Sequence, residues 1–308
     1  MYMQTMIESP LNYTGGKFRL LPQLLPLLPR EAGTVVDLFC GGCNVGLNMK
    51  CRRAVFNDSN VLLVDMYRTL VERPSADTVA EIEALAAGYG LSDTSSHGYA
   101  RYGCDSNRGA GDYNRSGYMK LRDDFNAAEI HDREYFLKMY VLIVYAFNNQ
   151  IRFNSRGEFN LPVGKRDFNL RMRMKLTRFI DRVRAGDYLF MSEDFRRVEP
   201  EALGDAPFVY ADPPYLAGRA AYNERGGWSE GDERDLLDYL DALDARGIRF
   251  ALSNALSNKG RTNDIVAAWA ERNSWRYRME HLDCDYANSN YHGTAEGQRT
   301  DEVLIMNY

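Results

Sequence analysis

With 308 residues, 45% of them hydrophobic and 26% charged, the chain can bury one sizeable core plus an inserted or appended subdomain, which excludes a disordered or fibrous protein. It has no uncharged apolar run of about 18 residues, and Met1 to Pro10 lacks the basic and apolar blocks of a secretion signal, so a cytoplasmic protein is expected and a membrane role is excluded. Five cysteines, an odd number, exclude a disulfide framework, and a net charge of −5 excludes a polyanion partner unless basic residues gather in one region.

In chain order, Tyr13-Thr14-Gly15-Gly16-Lys17 reads as a turn, and the apolar spacing of Phe18 to Leu28 predicts a short helix behind it. Thr34 to Phe39 is a β-branched apolar run ending in Gly41-Gly42, after which Val45 to Met49 predicts a helix. Ala54 to Phe56 is a second strand, closing at Asn57-Asp58, and Val61 to Leu70 is a helix behind it. Two consecutive strand-to-helix units predict a parallel, doubly wound, Rossmann-like sheet. Ala76 to Ala87 is helical, whereas Gly88 to Tyr118, rich in Gly, Ser, Tyr, Asn and Arg, is expected to be loop or partly disordered. Phe136 to Phe147 predicts an apolar helix, and Asn148 to Val163 two short strands of a hairpin turning at Asn154 to Gly157. Sheet character returns at Asp187 to Met191, Pro207 to Ala211 and Ile248 to Leu252, with an acidic-faced helix over Glu230 to Ala245. Ile265 to Arg272 is helical, and the last strands are Arg276 to Leu282 and Glu302 to Asn307. From Gln150 to Arg184 ten basic residues stand against three acidic ones, so positive charge does gather in one region.

Three features carry chemistry. The glycine turn Asp37 to Gly42 lets a ligand approach the backbone at a strand's carboxyl end, and Asp58, about 20 residues on, is placed to accept bonds from ribose hydroxyls. Asp212-Pro213-Pro214-Tyr215 directly follows the apolar run Phe208 to Ala211. Its prolines fix φ, so the Asp212 side chain and the Pro213 carbonyl project rigidly and can grip an amine with two hydrogens, while Tyr215 offers a flat face for a base. Cys40 and Cys43 have metal-like spacing, but no second pair or nearby His completes a tetrahedral site, so no metal is expected.

With these motifs in this order, the chain resembles the Dam-type (D12 class, alpha group) adenine-N6-specific DNA methyltransferases from end to end. The resemblance implies that Tyr13, Gly15, Gly16 and Lys17 help bind S-adenosyl-L-methionine, that Asp37, Phe39, Cys40 and Gly41 lie under its methionine moiety, and that Asp58 takes the ribose. It implies that Asp194 and Phe195 hold the cofactor's adenine, that Asp212 touches the cofactor too, and that Asp212 to Tyr215 are the catalytic tetrad in the Asp form that favours adenine N6. Arg152 to Pro162 resembles the family's DNA-reading hairpin, with Arg152 as the guanine contact. Asn154, Arg156, Pro162, Lys165 and Arg166 join it as expected DNA-binding residues. Arg299 to Tyr308 resembles the family's last strand. Tyr13 stands where close relatives have Trp, Cys40 to Cys43 is an unusual loop, and the 88–118 stretch has no counterpart.

The expected fold is therefore a Rossmann-like α/β methyltransferase sheet over 1–70 and 185–308, with an inserted, mostly helical target-recognition subdomain over 71–184 that carries a β-hairpin. The expected activity is methyl transfer from S-adenosylmethionine to a flipped-out adenine in a short duplex sequence, GATC being the first candidate. Leu216 to Gly231, with Tyr222 and Trp228, is expected to close over the base, and Ser253-Asn254 to cap a strand or line the pocket. Double-stranded DNA is the expected partner of a monomer, with or without a restriction endonuclease encoded nearby. An RNA or protein-glutamine methyltransferase, or a non-catalytic DNA-binding module, remains an alternative.

Overall fold

The computed structural model describes residues 6–13, 15–217, 227–283 and 300–308. Its strands are β1 (Ala32–Asp37), β2 (Cys51–Asn57), β3 (Asp187–Met191), β4 (Pro207–Ala211), β5 (Arg249–Asn258), β6 (Arg261–Thr262), β7 (Arg278–Leu282) and β8 (Asp301–Met306). The longer helices are α1 (Val61–Val71), α2 (Ser75–Gly88), α3 (Gly111–Asn126), α4 (Arg133–Tyr145), α5 (Leu170–Arg184), α6 (Glu230–Ala245) and α7 (Asp264–Arg272). The chain forms two compact units, residues 17–59 with 191–308 and residues 1–16 with 60–190, and β3 straddles the division.

The unit containing residues 17–59 and 191–308 is built on a mixed sheet with the path β2-β1-β4-β5-β8-β7. The first three contacts are parallel, whereas β8 runs antiparallel to both β5 and β7. Val35, Val36, Val55, Phe56, Phe208 and Val209 are fully buried, as apolar strands covered on both faces must be. Helix α6 starts at a capping box between Ser229 and Asp232 and packs Leu236, Leu240 and Leu243 into the core beside Val266 and Trp269 of α7. The mostly parallel sheet agrees with the strand-to-helix reading.

The helix expected over Val45 to Met49 is a correction: only a 3-10 turn, Gly46–Asn48, forms there. Met49 is already extended and β2 begins two residues later, so no length is left for a longer helix. The backbone at Gly46 also lies too close to the Phe56 ring, 2.5 Å from where a Cβ would sit, for any larger residue.

The other unit is helical apart from most of β3 among its described residues. Helix α4 is almost wholly buried from Tyr135 to Tyr145, and Tyr67 of α1 meets Phe179 of α5 at 5.4 Å between ring centroids. The stretch 88–118, expected to be loop or disordered, is ordered instead and includes the start of α3. Polar bonds replace the missing apolar periodicity: buried Asn114 accepts from Ser92 N at 2.7 Å and donates to Ser92 Oγ at 3.0 Å, while buried Asp167 accepts from Ser92 Oγ and Thr94 N. The hairpin has isolated bridges in place of the two expected strands: Phe153 pairs antiparallel with Phe159 around a turn in which Gly157 takes φ 81°, and Val163 pairs with Ala146 at its base.

Candidate active site

At the carboxyl end of β1 the chain turns sharply back toward β2. Asp37 is buried, and its Oδ2 accepts from Gly46 N at 3.1 Å. Gly41 N donates to Asp58 Oδ2 at 3.0 Å, and Cys40 N to the Asn57 carbonyl at 2.7 Å, so the expected loop residues Asp37, Phe39, Cys40, Gly41 and Asp58 do come together. Burial pushes the Asp37 carboxyl up to about 7, against the bond from Gly46, with the nearby charges of Asp212 and Asp58 adding to the rise. Cys40 and Cys43 are buried thiols whose pKa values burial raises, which makes them poor nucleophiles at neutral pH.

Sequence reasoning missed Asn57. Its side chain donates to the carbonyls of Leu38 and Glu193, each at 3.0 Å, and accepts from Glu193 N at 3.0 Å. One buried amide thus ties the glycine turn to the segment carrying Asp194 and Phe195. Phe195 packs near Phe39 at 5.4 Å, and the Trp228 ring lies 5.6 Å from Phe39 and 5.7 Å from Phe195. Trp228 Nε1 donates to Glu233, a buried carboxylate that also accepts from Asn254 at 2.8 Å and Asn263 at 3.0 Å. Asn254 and Ser253 are buried within β5, which continues to Asn258, so the strand-cap role expected for them is corrected. Asp194, in turn, caps the turn at Phe195 and binds the Arg196 guanidinium at 3.1 Å. Of the stretch 216–231, expected to close over the base, residues 218–226, Tyr222 among them, lie outside the described residues.

Asp212 follows the last parallel pair of the β4 and β5 ladder, Ala211 opposite Leu252. Its Oδ1 accepts from Lys17 Nζ at 2.8 Å and from the Tyr215 hydroxyl at 3.0 Å. Both donors also reach Glu302 Oε1 on β8, Lys17 at 3.3 Å and Tyr215 at 3.1 Å, and the ammonium lies 4.9 Å from the centre of the Tyr215 ring. Glu302 is completely buried and Lys17 is 5% exposed. Burial opposes the Lys17 charge, but the two carboxylates outweigh it and its pKa is raised. The Asp212 pKa is raised as well, chiefly by burial and further by Glu302, although Lys17 and Tyr215 pull the other way. Among the described residues nothing donates to Asp212 Oδ2 or to the Pro213 carbonyl. Two acceptors on one rigid strand end, one of them charged, suit an exocyclic amine.

Residues 13–281 match the family profile of the D12 class N6 adenine-specific DNA methyltransferases. The chain belongs to that family. It is 36% identical to Modification methylase StsI of Streptococcus sanguinis and to Type II methyltransferase M.FokI of Planomicrobium okeanokoites, over 98% of its own length and 43% of theirs. It therefore spans less than half the length of these two relatives. To the DNA adenine methylase of Escherichia coli strain K12 it is 26% identical over 79% of each chain.

The remaining expected residues of this methyltransferase family member fall in the unit that holds residues 1–16 and 60–190. Gly16 N donates to the Tyr13 carbonyl at 3.1 Å, and Gly15 takes φ 78°, so the expected turn forms there. In the hairpin, Arg152 Nε donates to Asn160 Oδ1 at 2.8 Å, Asn154 Oδ1 accepts from the backbone of Arg156 and Glu158, and the exposed Arg156 pairs with Glu158 at 3.0 Å. Pro162, Lys165 and Arg166 are exposed. No group of three or more His, Cys, Asp or Glu among the described residues could hold a metal ion, and no described helix is long and apolar enough to cross a membrane.

Proposed function

We propose that the chain is a site-specific, S-adenosylmethionine-dependent DNA methyltransferase that modifies adenine N6 in duplex DNA. The observation that carries this reading is the division of labour on Asp212: Oδ1 is taken by Lys17 and Tyr215, while among the described residues no donor takes Oδ2 or the Pro213 carbonyl, which can receive the two hydrogens of an amine. Accepting both hydrogens draws the nitrogen lone pair out of ring conjugation and orients it for attack, so no basic side chain need act first. Pro213 and Pro214 hold the two acceptors still, and Tyr215 is a face on which a flipped base stacks.

The residues fit the cofactor. Phe39, Phe195 and Trp228 present aromatic faces within 5.7 Å of one another, Asp58 and Asp37 offer carboxylates, and Gly41 and Cys40 bring backbone close. On this reading Asp58 binds ribose hydroxyls, Phe195 and Asp194 hold the adenine, and Tyr13, Gly15, Gly16 and Lys17 complete the binding set. When bound, S-adenosylmethionine supplies an activated methyl group. The stretch 71–184 serves target recognition, with Arg152, Asn154, Arg156, Pro162, Lys165 and Arg166 on DNA and GATC as the first sequence to try. The protein then acts as a cytoplasmic monomer, alone or beside a restriction endonuclease, a pairing that the names of its modification-methylase relatives favour.

The test is transfer of labelled methyl from S-adenosylmethionine to duplex DNA, RNA and protein in parallel. Label in N6-methyladenine of duplex DNA is the expected result, and label in RNA or in glutamine alone would refute it.

A further inference from the structure

We infer that Glu302 is a positioning residue for methyl transfer: from β8 it holds the Lys17 ammonium and the Tyr215 hydroxyl against one oxygen of Asp212, so that the other oxygen meets the target amine. The inference rests on the proposed function. Four polar atoms form a closed ring, Asp212 Oδ1 to Lys17 Nζ to Glu302 Oε1 to Tyr215 Oη and back, with sides of 2.8, 3.3, 3.1 and 3.0 Å. A carboxylate with no exposure is costly to bury unless its partners are fixed, and Glu302 is fixed on a strand paired on both sides, with Ala255 and with Leu282.

The ring explains which Asp212 oxygen is used. The Lys17 ammonium has three protons and can bond both carboxylates at once, whereas the Tyr215 hydroxyl has one, which Asp212 Oδ1 and Glu302 Oε1 can share only because they converge on it. Glu302 makes them converge. With Glu302 removed, Lys17 and Tyr215 keep Asp212 as their shared carboxylate, and nothing in the ring prevents either donor from swinging to Oδ2 and competing with the substrate amine. Other groups near Asp212 do not replace it: the Tyr210 hydroxyl is engaged with Ser253 Oγ at 2.8 Å, and Asp37 is a further acid bonded to Gly46. The negative charge of Glu302 also raises the proton affinity of Asp212, so its removal moves the protonation of Asp212 to lower pH.

Single-turnover methyl transfer to duplex DNA, its pH profile, and calorimetric binding of S-adenosylhomocysteine test the inference on the full chain. Glu302→Ala and Glu302→Gln are expected to slow transfer about 10- to 100-fold, as for losing a bond between charged groups, while product affinity stays within about twofold of wild type. In Glu302→Gln the acid limb of the profile shifts to lower pH, which a merely structural role would not cause. Wild-type rates and an unmoved limb would overturn the inference, as would a loss of product affinity in step with the rate. If the wild-type chain itself left duplex DNA unmodified, the proposed function would fall, and this inference with it.

Discussion

Two clusters of charge, one in each unit, are built in opposite ways. At the tetrad, Lys17, Asp212 and Glu302 come from distant parts of the chain and converge, with Tyr215, into one closed arrangement that leaves a chosen oxygen available. The basic stretch from Gln150 to Arg184 is contiguous, yet its charges disperse. Arg173 binds Asp93 at 2.7 Å and Glu83 at 2.5 Å, the buried Lys175 binds Glu8 and Asn12, and Arg184 caps the carbonyls of Val71 and Glu72. Arg156, Lys165, Arg166 and Arg178 are exposed. A local excess of positive charge therefore overstates what is offered to a polyanion, and the partner of each side chain decides its use.

Substitution can break this contrast. Asp212→Ala should have the largest effect, a loss of about a thousandfold in single-turnover methyl transfer with cofactor binding retained. Near-normal turnover would mean that the cluster is structural. Arg173→Ala, in the other cluster, removes a largely buried cation from two carboxylates and should cost about 3 kcal/mol of stability, read from urea unfolding. An unchanged midpoint would return Arg173 to the set available for DNA.

Proton linkage at Asp37 sharpens the same comparison. Its folded pKa is raised from 3.8 to about 7, so the native state binds the extra proton, and stability is greatest below 3.8 and declines as pH climbs through 7. Asp37→Asn should flatten that decline, a change on the order of 4 kcal/mol across the window, measured as denaturant midpoint against pH. The smallest effect is expected for Arg156→Ala. Stability should hold within about 0.5 kcal/mol, because its pair with Glu158 is exposed, while DNA affinity falls uniformly and the salt slope drops by about one. A sequence-dependent loss would instead make Arg156 a base reader.

What could be read in the sequence was what lies close together along the chain. Asp212 to Tyr215 is four consecutive residues after a buried strand, and the loop from Asp37 to Asp58 spans a single turn and strand, so strand chemistry and proline geometry single out both as candidates. Glu302 escaped notice because its partner Tyr215 is 87 residues away, and Asn57 because Glu193 is 136 away. The only hint was an acid or amide inside an otherwise apolar strand. The same limit misjudged 88–118, where order comes from Asn114 and Asp167 reaching back to Ser92 across 22 and 75 residues. The bond from the Lys17 ammonium to Asp212, 195 residues away, is likewise invisible in the motif around Lys17.

The place of Glu302 in the sheet also has a consequence for synthesis. Strand β8 must thread between β5 and β7, and it is made after every other strand of that sheet. A nascent chain that has already formed the tetrad still lacks the carboxylate that braces it. Until residue 302 has been added and paired, Lys17 and Tyr215 have only Asp212 of the two carboxylates to bond.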